Sequence, residues 1–136
     1  MWSKDNCKSN SFVHETDKLP QDTHKKYLVL DLDETLMHSL FRAVPDADFV
    51  ILVQIEEVFH FVNVIKRPGV DAFLLELSHH YELVVYTASL NKYADPLLDL
   101  LDTHHVIRAR LFWEFCVYHK GNFVIDLSLL FHIPLL

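Results

Sequence analysis

The chain reads as an α/β domain built on a parallel sheet, and three observations point there. Two short continuous apolar runs, Tyr27 to Leu30 and Leu83 to Tyr86, look like strands buried on both faces. Between and after them apolar residues recur at helical spacing, first Val70, Phe73, Leu74 and Leu77, then Ala94, Leu97, Leu98 and Leu101. Each buried run ends in a polar side chain, Asp31 after the first and Thr87 after the second, at the sheet edge where α/β ligands bind. Strand alternating with helix implies parallel pairing through right-handed crossovers.

The elements follow in order. Residues 1 to 26 are polar with only scattered apolar side chains (Trp2, Phe12, Val13, Leu19), too few to offset ordering entropy, and read as a disordered leader. The first strand opens the folded domain, 27 to 130. Phe49 to Ile55 and Val58 to Ile65 are β-rich runs around the polar pair Glu56-Glu57, which reads as a solvated turn, so a hairpin is inserted beside the core. Pro68 sits at the first-turn position of a helix that ends near His79-His80. After the second buried strand, Ser89 caps a second helix. Val106 to Phe112 gives a third strand and Asn122 to Ile125 a short fourth; residues 131 to 136 form a tail.

Composition narrows the function. With 136 residues, 51% hydrophobic and 23% charged, one globular domain is the expectation. Gly69 and Gly121 are its only glycines, which excludes a phosphate-cradling glycine loop. A net charge of −7 argues against direct nucleic-acid binding. Cys7 and Cys116 lack CxxC spacing, so neither a disulfide framework nor structural zinc is expected, and a reducing intracellular compartment, nucleus or cytoplasm, fits better than the mitochondrion. No apolar run reaches the roughly 20 residues of a membrane span. The ten histidines, including His79-His80 and His104-His105, complete no ligand spacing, and Cys116 reads as a packing residue.

The chemistry concentrates at Asp31-Leu32-Asp33-Glu34-Thr35. Two carboxylates leaving one strand tip can divide the labour of covalent phosphoryl chemistry, one attacking while the other donates and later removes a proton. Their mutual repulsion favours a hard cation such as Mg²⁺. The competing reading is an acidic loop in which Asp33 or Thr35 caps a helix. Thr87 and backbone amides at the second strand tip supply donors that could hold a phosphoryl oxygen, though Thr87 could equally cap the helix behind it.

Four segments, Asp31-Leu32-Asp33-Glu34-Thr35-Leu36, Lys66-Arg67-Pro68-Gly69-Val70, Tyr86 to Pro96 and Asp126-Leu127-Ser128, resemble the small phosphatases of the haloacid dehalogenase superfamily that act on the C-terminal domain of RNA polymerase II. The resemblance covers about Tyr27 to Leu130 and implies a haloacid dehalogenase-like, Rossmann-like fold with the β-hairpin as its insertion. It further implies Mg²⁺-dependent removal of phosphate from protein serine or threonine. On that basis Asp31 is the nucleophile and a metal ligand, Asp33 the general acid and base with its carbonyl on the metal, and Thr87 the phosphoryl-binding hydroxyl. Phe41 and Tyr93 match the aromatic positions that hold a substrate proline, and Thr35 and Ser89 stand with them as substrate-binding residues. The partner implied is a phosphorylated protein, with the polymerase C-terminal domain as one candidate.

The sequence also departs from that pattern. Ile125 stands where the resemblance implies a lysine touching nucleophile and phosphate, and losing one such stabiliser costs on the order of 10²- to 10³-fold in rate. Trp113 replaces an expected substrate-binding arginine. After Leu130 a further strand with the last metal carboxylate is implied and not present, which leaves the sheet short of its last strand or strands, the first strand with an unpaired edge, and the activity of this chain weak or absent. Two other readings compete: a non-catalytic phosphopeptide-binding module, and a relative of the mitochondrial inner-membrane translocase receptors, which would need a transit peptide and a membrane span.

Overall fold

The computed structural model describes residues 25–132. Most of the expected leader and residues 133–136 of the expected tail lie outside them. In chain order the elements are β1 (Lys26–Leu30), β2 (Met37–Leu40), β3 (Phe49–Ile55), β4 (Val58–Lys66), α1 (Val70–Ser78), β5 (Tyr81–Tyr86), α2 (Asn91–Leu101), β6 (Ile107–Leu111), β7 (Val117–His119) and β8 (Asn122–Val124). Short 3₁₀ turns, Trp113–Phe115 and Leu127–Phe131, flank the last two strands.

β5 is the centre of the parallel sheet, whose order is β1-β5-β6. Leu83 and Val85 face one cluster of buried residues and Val84 and Tyr86 the other, so the continuous apolar run follows from burial on both faces. The same expectation is wrong for β1. Only Leu30 is buried there and Tyr27 is exposed, because β1 is an edge strand that pairs with β5 alone among the described residues. The larger cluster gathers Leu30, Leu32, Leu74 and the α2 stripe Ala94, Leu97, Leu98 and Leu101 under the inserted hairpin's Val53, Val62 and Val64.

The insertion is an antiparallel sheet of order β2-β4-β3. Glu56 and Glu57 make its turn with φ of 48° and 65°, a left-handed pair that suits the twist of a two-residue hairpin. Asp48 Oδ2 accepts from the Lys66 amide at 2.7 Å and ties the far end. β2 and β7 carry no long apolar run and were not expected.

Three boundaries differ from the sequence expectation. Helix α1 begins at Val70, with Gly69 as its N-cap at φ 82°, so Pro68 lies just outside it. Helix α2 has Leu90 as its N-cap and no side-chain cap, so Ser89 does not cap it. Asn122 to Val124 does form a strand, but it pairs antiparallel with β7, because Lys120 and Gly121, at φ 49° and 82°, turn the chain straight back. Among the described residues no helix is long and apolar enough to cross a membrane.

Candidate active site

The site is built at the carboxyl ends of β1 and β5. Leaving β1, the chain buries Leu32 completely, which fixes the carboxylates on either side of it, Asp31 exposed and Asp33 half-buried. The turn then closes on itself. The amides of Thr35 and Leu36 donate to the Leu32 carbonyl at 3.2 and 2.9 Å, and Glu34 adopts φ 62° to permit it. Arg67, entering α1, fastens the loop from outside: its amide donates to the Leu36 carbonyl at 2.9 Å and its guanidinium to the Thr35 carbonyl at 3.1 Å. Neither Asp33 nor Thr35 caps a helix. Thr35 Oγ1 instead donates to Asp31 Oδ2 at 3.5 Å.

Asp33 is the most heavily engaged group. Its Oδ2 accepts from Ser89 Oγ at 2.5 Å and from Thr87 Oγ1 at 3.3 Å, while its Oδ1 accepts from the Tyr93 hydroxyl at 3.3 Å. Thus residues more than fifty positions apart in sequence meet because β1 and β5 are paired in register, Leu30 against Val85. Burial raises the Asp31 carboxyl above its ordinary range, the Leu32 amide lowers it, and the nearby charge of Asp33 adds to the rise. Two carboxylates with this much mutual repulsion suit a hard cation. Among the described residues no three His, Cys, Asp or Glu side chains form a metal-ligating group. The donor chemistry present, an exposed carboxylate beside a strand-tip loop, fits Mg²⁺, which commonly uses one or two protein carboxylates and completes its shell with water and phosphate oxygens.

The structure places the other expected site residues as follows. Tyr93 is only 1% exposed and its ring lies in the core, so it offers no surface to a substrate proline. Burial is the main reason its hydroxyl is pushed to a pKa far above that of a free phenol. Ser89 is 7% and Thr87 1% exposed, and both hydroxyls are spent on Asp33, so neither offers a free donor here. Two of the strand-tip amides are also committed: the Thr87 amide donates to the Leu111 carbonyl at 2.9 Å and the Ser89 amide to Thr87 Oγ1 at 3.1 Å. Phe41, by contrast, is 52% exposed and stands edge-on to the His60 ring at 5.8 Å.

The two departures at the distal end have structural explanations. Ile125 is packed against the cluster of Val84, Tyr86, Leu111 and Cys116, an apolar setting for a hydrocarbon. The Trp113 amide donates to the Ser89 carbonyl at 3.0 Å and its ring meets Phe123, so this position braces the β5 tip. Asp126 accepts from the Ser128 amide at 2.9 Å and its hydroxyl at 2.6 Å, which hold the carboxyl below the usual range. Arg67 and Ser39, the latter hydrogen-bonded to the Tyr93 hydroxyl, were assigned no part from sequence. No local pattern signals the part of Arg67, because an exposed arginine before a Pro-Gly turn is satisfied by water alone. A cavity of about 310 Å³ opens beside the loop, lined by Leu30, Thr35, Arg67, Val70 and Phe73 among others.

The chain resembles known proteins along most of its length. The family model described as "NIF: NLI interacting factor-like phosphatase" matches residues 26–135. The chain is 60% identical over 110 residues to CTD small phosphatase-like protein 1 of Caenorhabditis elegans, covering 81% of this chain and 22% of that protein. It is 56% identical over 108 residues to human carboxy-terminal domain RNA polymerase II polypeptide A small phosphatase 1, covering 79% of this chain and 41% of the relative. The chain therefore spans less than half the length of these relatives. Among solved structures, fission yeast RNA polymerase II CTD phosphatase Fcp1 bound to beryllium fluoride is similar with a TM-score of 0.61 at 20% identity, over 72% of this chain and 32% of that one. That likeness bears on the fold alone, a mixed α/β domain on a parallel sheet.

Proposed function

Given that the chain belongs to the NLI interacting factor-like phosphatase family, we propose that it provides the aspartate-based centre of a phosphoprotein phosphatase acting on serine or threonine phosphate. The observation that carries this reading is the pair of carboxylates at one strand tip in different environments, Asp31 exposed and Asp33 held by hydroxyl groups from the loop after β5 and from α2. An exposed carboxylate can approach phosphorus. A carboxyl group held in place can exchange a proton with the oxygen that leaves.

In this reading an Asp31 carboxylate oxygen attacks phosphorus as the bond from phosphorus to the ester oxygen breaks, and Asp33 gives its proton to that oxygen, releasing the alcohol. Water then attacks the aspartyl phosphate, Asp33 takes a proton from it, and Asp31 is released with inorganic phosphate. The Asp31 carboxylate and the Asp33 backbone carbonyl would hold Mg²⁺, which when bound offsets negative charge on the phosphate. Thr35 fixes one oxygen of Asp31 so that the other is presented. Phe41, exposed on the insertion side, is the aromatic surface available to the peptide flanking the phosphate. The substrate proposed is a phosphorylated protein, with the RNA polymerase II C-terminal domain as the candidate that the name of the human relative supports.

Hydrolysis of an aryl phosphate with and without Mg²⁺, in the native chain and in Asp31→Asn, tests the proposal. Metal-dependent turnover that falls by about 10³-fold or more in Asp31→Asn is expected, the scale for a lost nucleophile. Turnover that survives the substitution would remove Asp31 from its role. The apolar packing of Ile125 favours a second reading, capture of a phosphoprotein without turnover. Tight binding of a phosphorylated Ser-Pro peptide with no phosphate release would select it.

A further inference from the structure

We infer that Ser89 and Tyr93 are positioning residues for Asp33, clamping its carboxyl group in the orientation from which it protonates the departing oxygen, and that neither binds substrate. The inference deepens the proposed phosphatase reading and rests on it.

The geometry leaves little alternative for these two hydroxyls. Both residues are buried, so a substrate atom cannot reach them without displacing core, yet each sends its hydroxyl to a different oxygen of one carboxyl group. Ser89 lies three residues past the end of β5, and its carbonyl accepts from the Trp113 amide, so its position is fixed from two sides. Tyr93 sits in the first turn of α2, where its ring is locked by the core, and its hydroxyl is shared between Asp33, Ser39 of β2 and a long contact to Met37 Sδ at 4.0 Å. A carboxyl gripped on both oxygens cannot rotate. Its free lone pair or proton then points where the loop directs it, and precision of that kind sets the efficiency of a proton donor.

Leaving-group dependence separates a positioning role from a structural one. An activated aryl ester releases a stable phenolate and needs little proton donation, whereas a phosphoserine peptide releases an alkoxide and needs it greatly. Ser89→Ala and Tyr93→Phe should therefore lower kcat/KM, which reports phosphoryl transfer to Asp31 and not the later hydrolysis shared by both substrates, by about 10- to 100-fold for a phosphoserine peptide and by less than about threefold for 4-nitrophenyl phosphate. Ser89→Thr, which restores the hydroxyl, should recover most of the peptide rate. Near-ultraviolet circular dichroism confirms that each variant keeps its tertiary packing, and Tyr93→Phe retains the ring that fills the core. Equal losses on the two substrates, or a rise in KM as the main change, would overturn the inference and leave the phosphatase reading standing. No hydrolysis of either substrate by the native chain would overturn both.

Discussion

Asp31 has its carboxyl raised by burial, eased downward by the Leu32 amide and raised again by the charge of Asp33. The protonated form is thus the one the fold favours. Stability from this group is fully present below the ordinary carboxyl pKa of about 3.9 and is lost as pH rises through the higher folded value. The acid that supplies the proposed attack is therefore a small burden on the fold at neutral pH. Asp31→Asn removes that burden, chiefly the desolvation of a charge, and should raise unfolding stability slightly at pH 7. At pH 3 the difference should vanish. Urea denaturation at the two pH values checks this, and a loss of stability at pH 7 would show that Asp31 makes favourable contacts outweighing the repulsion.

Single side chains also hold elements in register. Asp102 is buried at the end of α2, and its two oxygens accept from the amides of Val106 at 2.9 Å and Ile107 at 3.1 Å, the point where the chain enters β6. Asp102→Ala strands two donors and should cost about 1–3 kcal/mol, read from urea unfolding, whereas Asp102→Asn should lose less because its carbonyl can still accept. Arg110 of β6 reaches Asp95 and Asp99 on the exposed side of α2; burial works against its charge, and the two carboxylates more than restore it. The Glu56-Glu57 turn, left-handed without glycine or asparagine, is a local conflict between sequence and backbone. Replacing the pair by Asn-Gly should stabilise the domain by about 0.5–1 kcal/mol. A lower melting temperature would show that the carboxylates do more than occupy the turn.

Legibility tracked the physical origin of each element. β5 and α2 were readable because burial on two faces or along one stripe writes a pattern into neighbouring residues. β2, only Met37 to Leu40, was not, since its pairing with β4 comes from a contact across about twenty-five positions and its sequence has no alternation long enough to count. Asp31, Asp33 and Thr87 were legible as strand-tip groups. The use of Ser89 and Tyr93 was not, because a serine before a helix reads as a cap and a tyrosine on an apolar stripe reads as packing. Only the parallel register of β1 and β5 reveals that both hydroxyls converge on one carboxylate.

At the scale of the molecule, the insertion presents its apolar outer side to solvent. Leu52 and Phe61 are cross-strand neighbours, Val50 and Phe59 extend the same face, and all four are more than half exposed. Such a face favours non-specific association. Phe59→Thr with Phe61→Thr should reduce light scattering on concentration and leave the Asp33 network untouched, because the inward residues Val53, Val62 and Val64 are unchanged. Scattering that does not fall would place the source of association elsewhere, such as the edge of β1 that is unpaired among the described residues.

The edge position of β1 also sets how long the centre survives as the molecule loosens. Asp31 and Asp33 hang from a five-residue strand held on one side only among the described residues, while the groups that meet them hang from β5 in the interior. Detaching β1 parts the two halves without disturbing α2 or β6, so subglobal opening of this strand has a lower free energy than global unfolding. Amide hydrogens of Val29 and Leu30 should exchange faster than those of Val84 and Val85. On the proposed phosphatase reading, low urea should abolish turnover before the far-ultraviolet circular dichroism signal changes, so that the working range of the centre ends where β1 lets go.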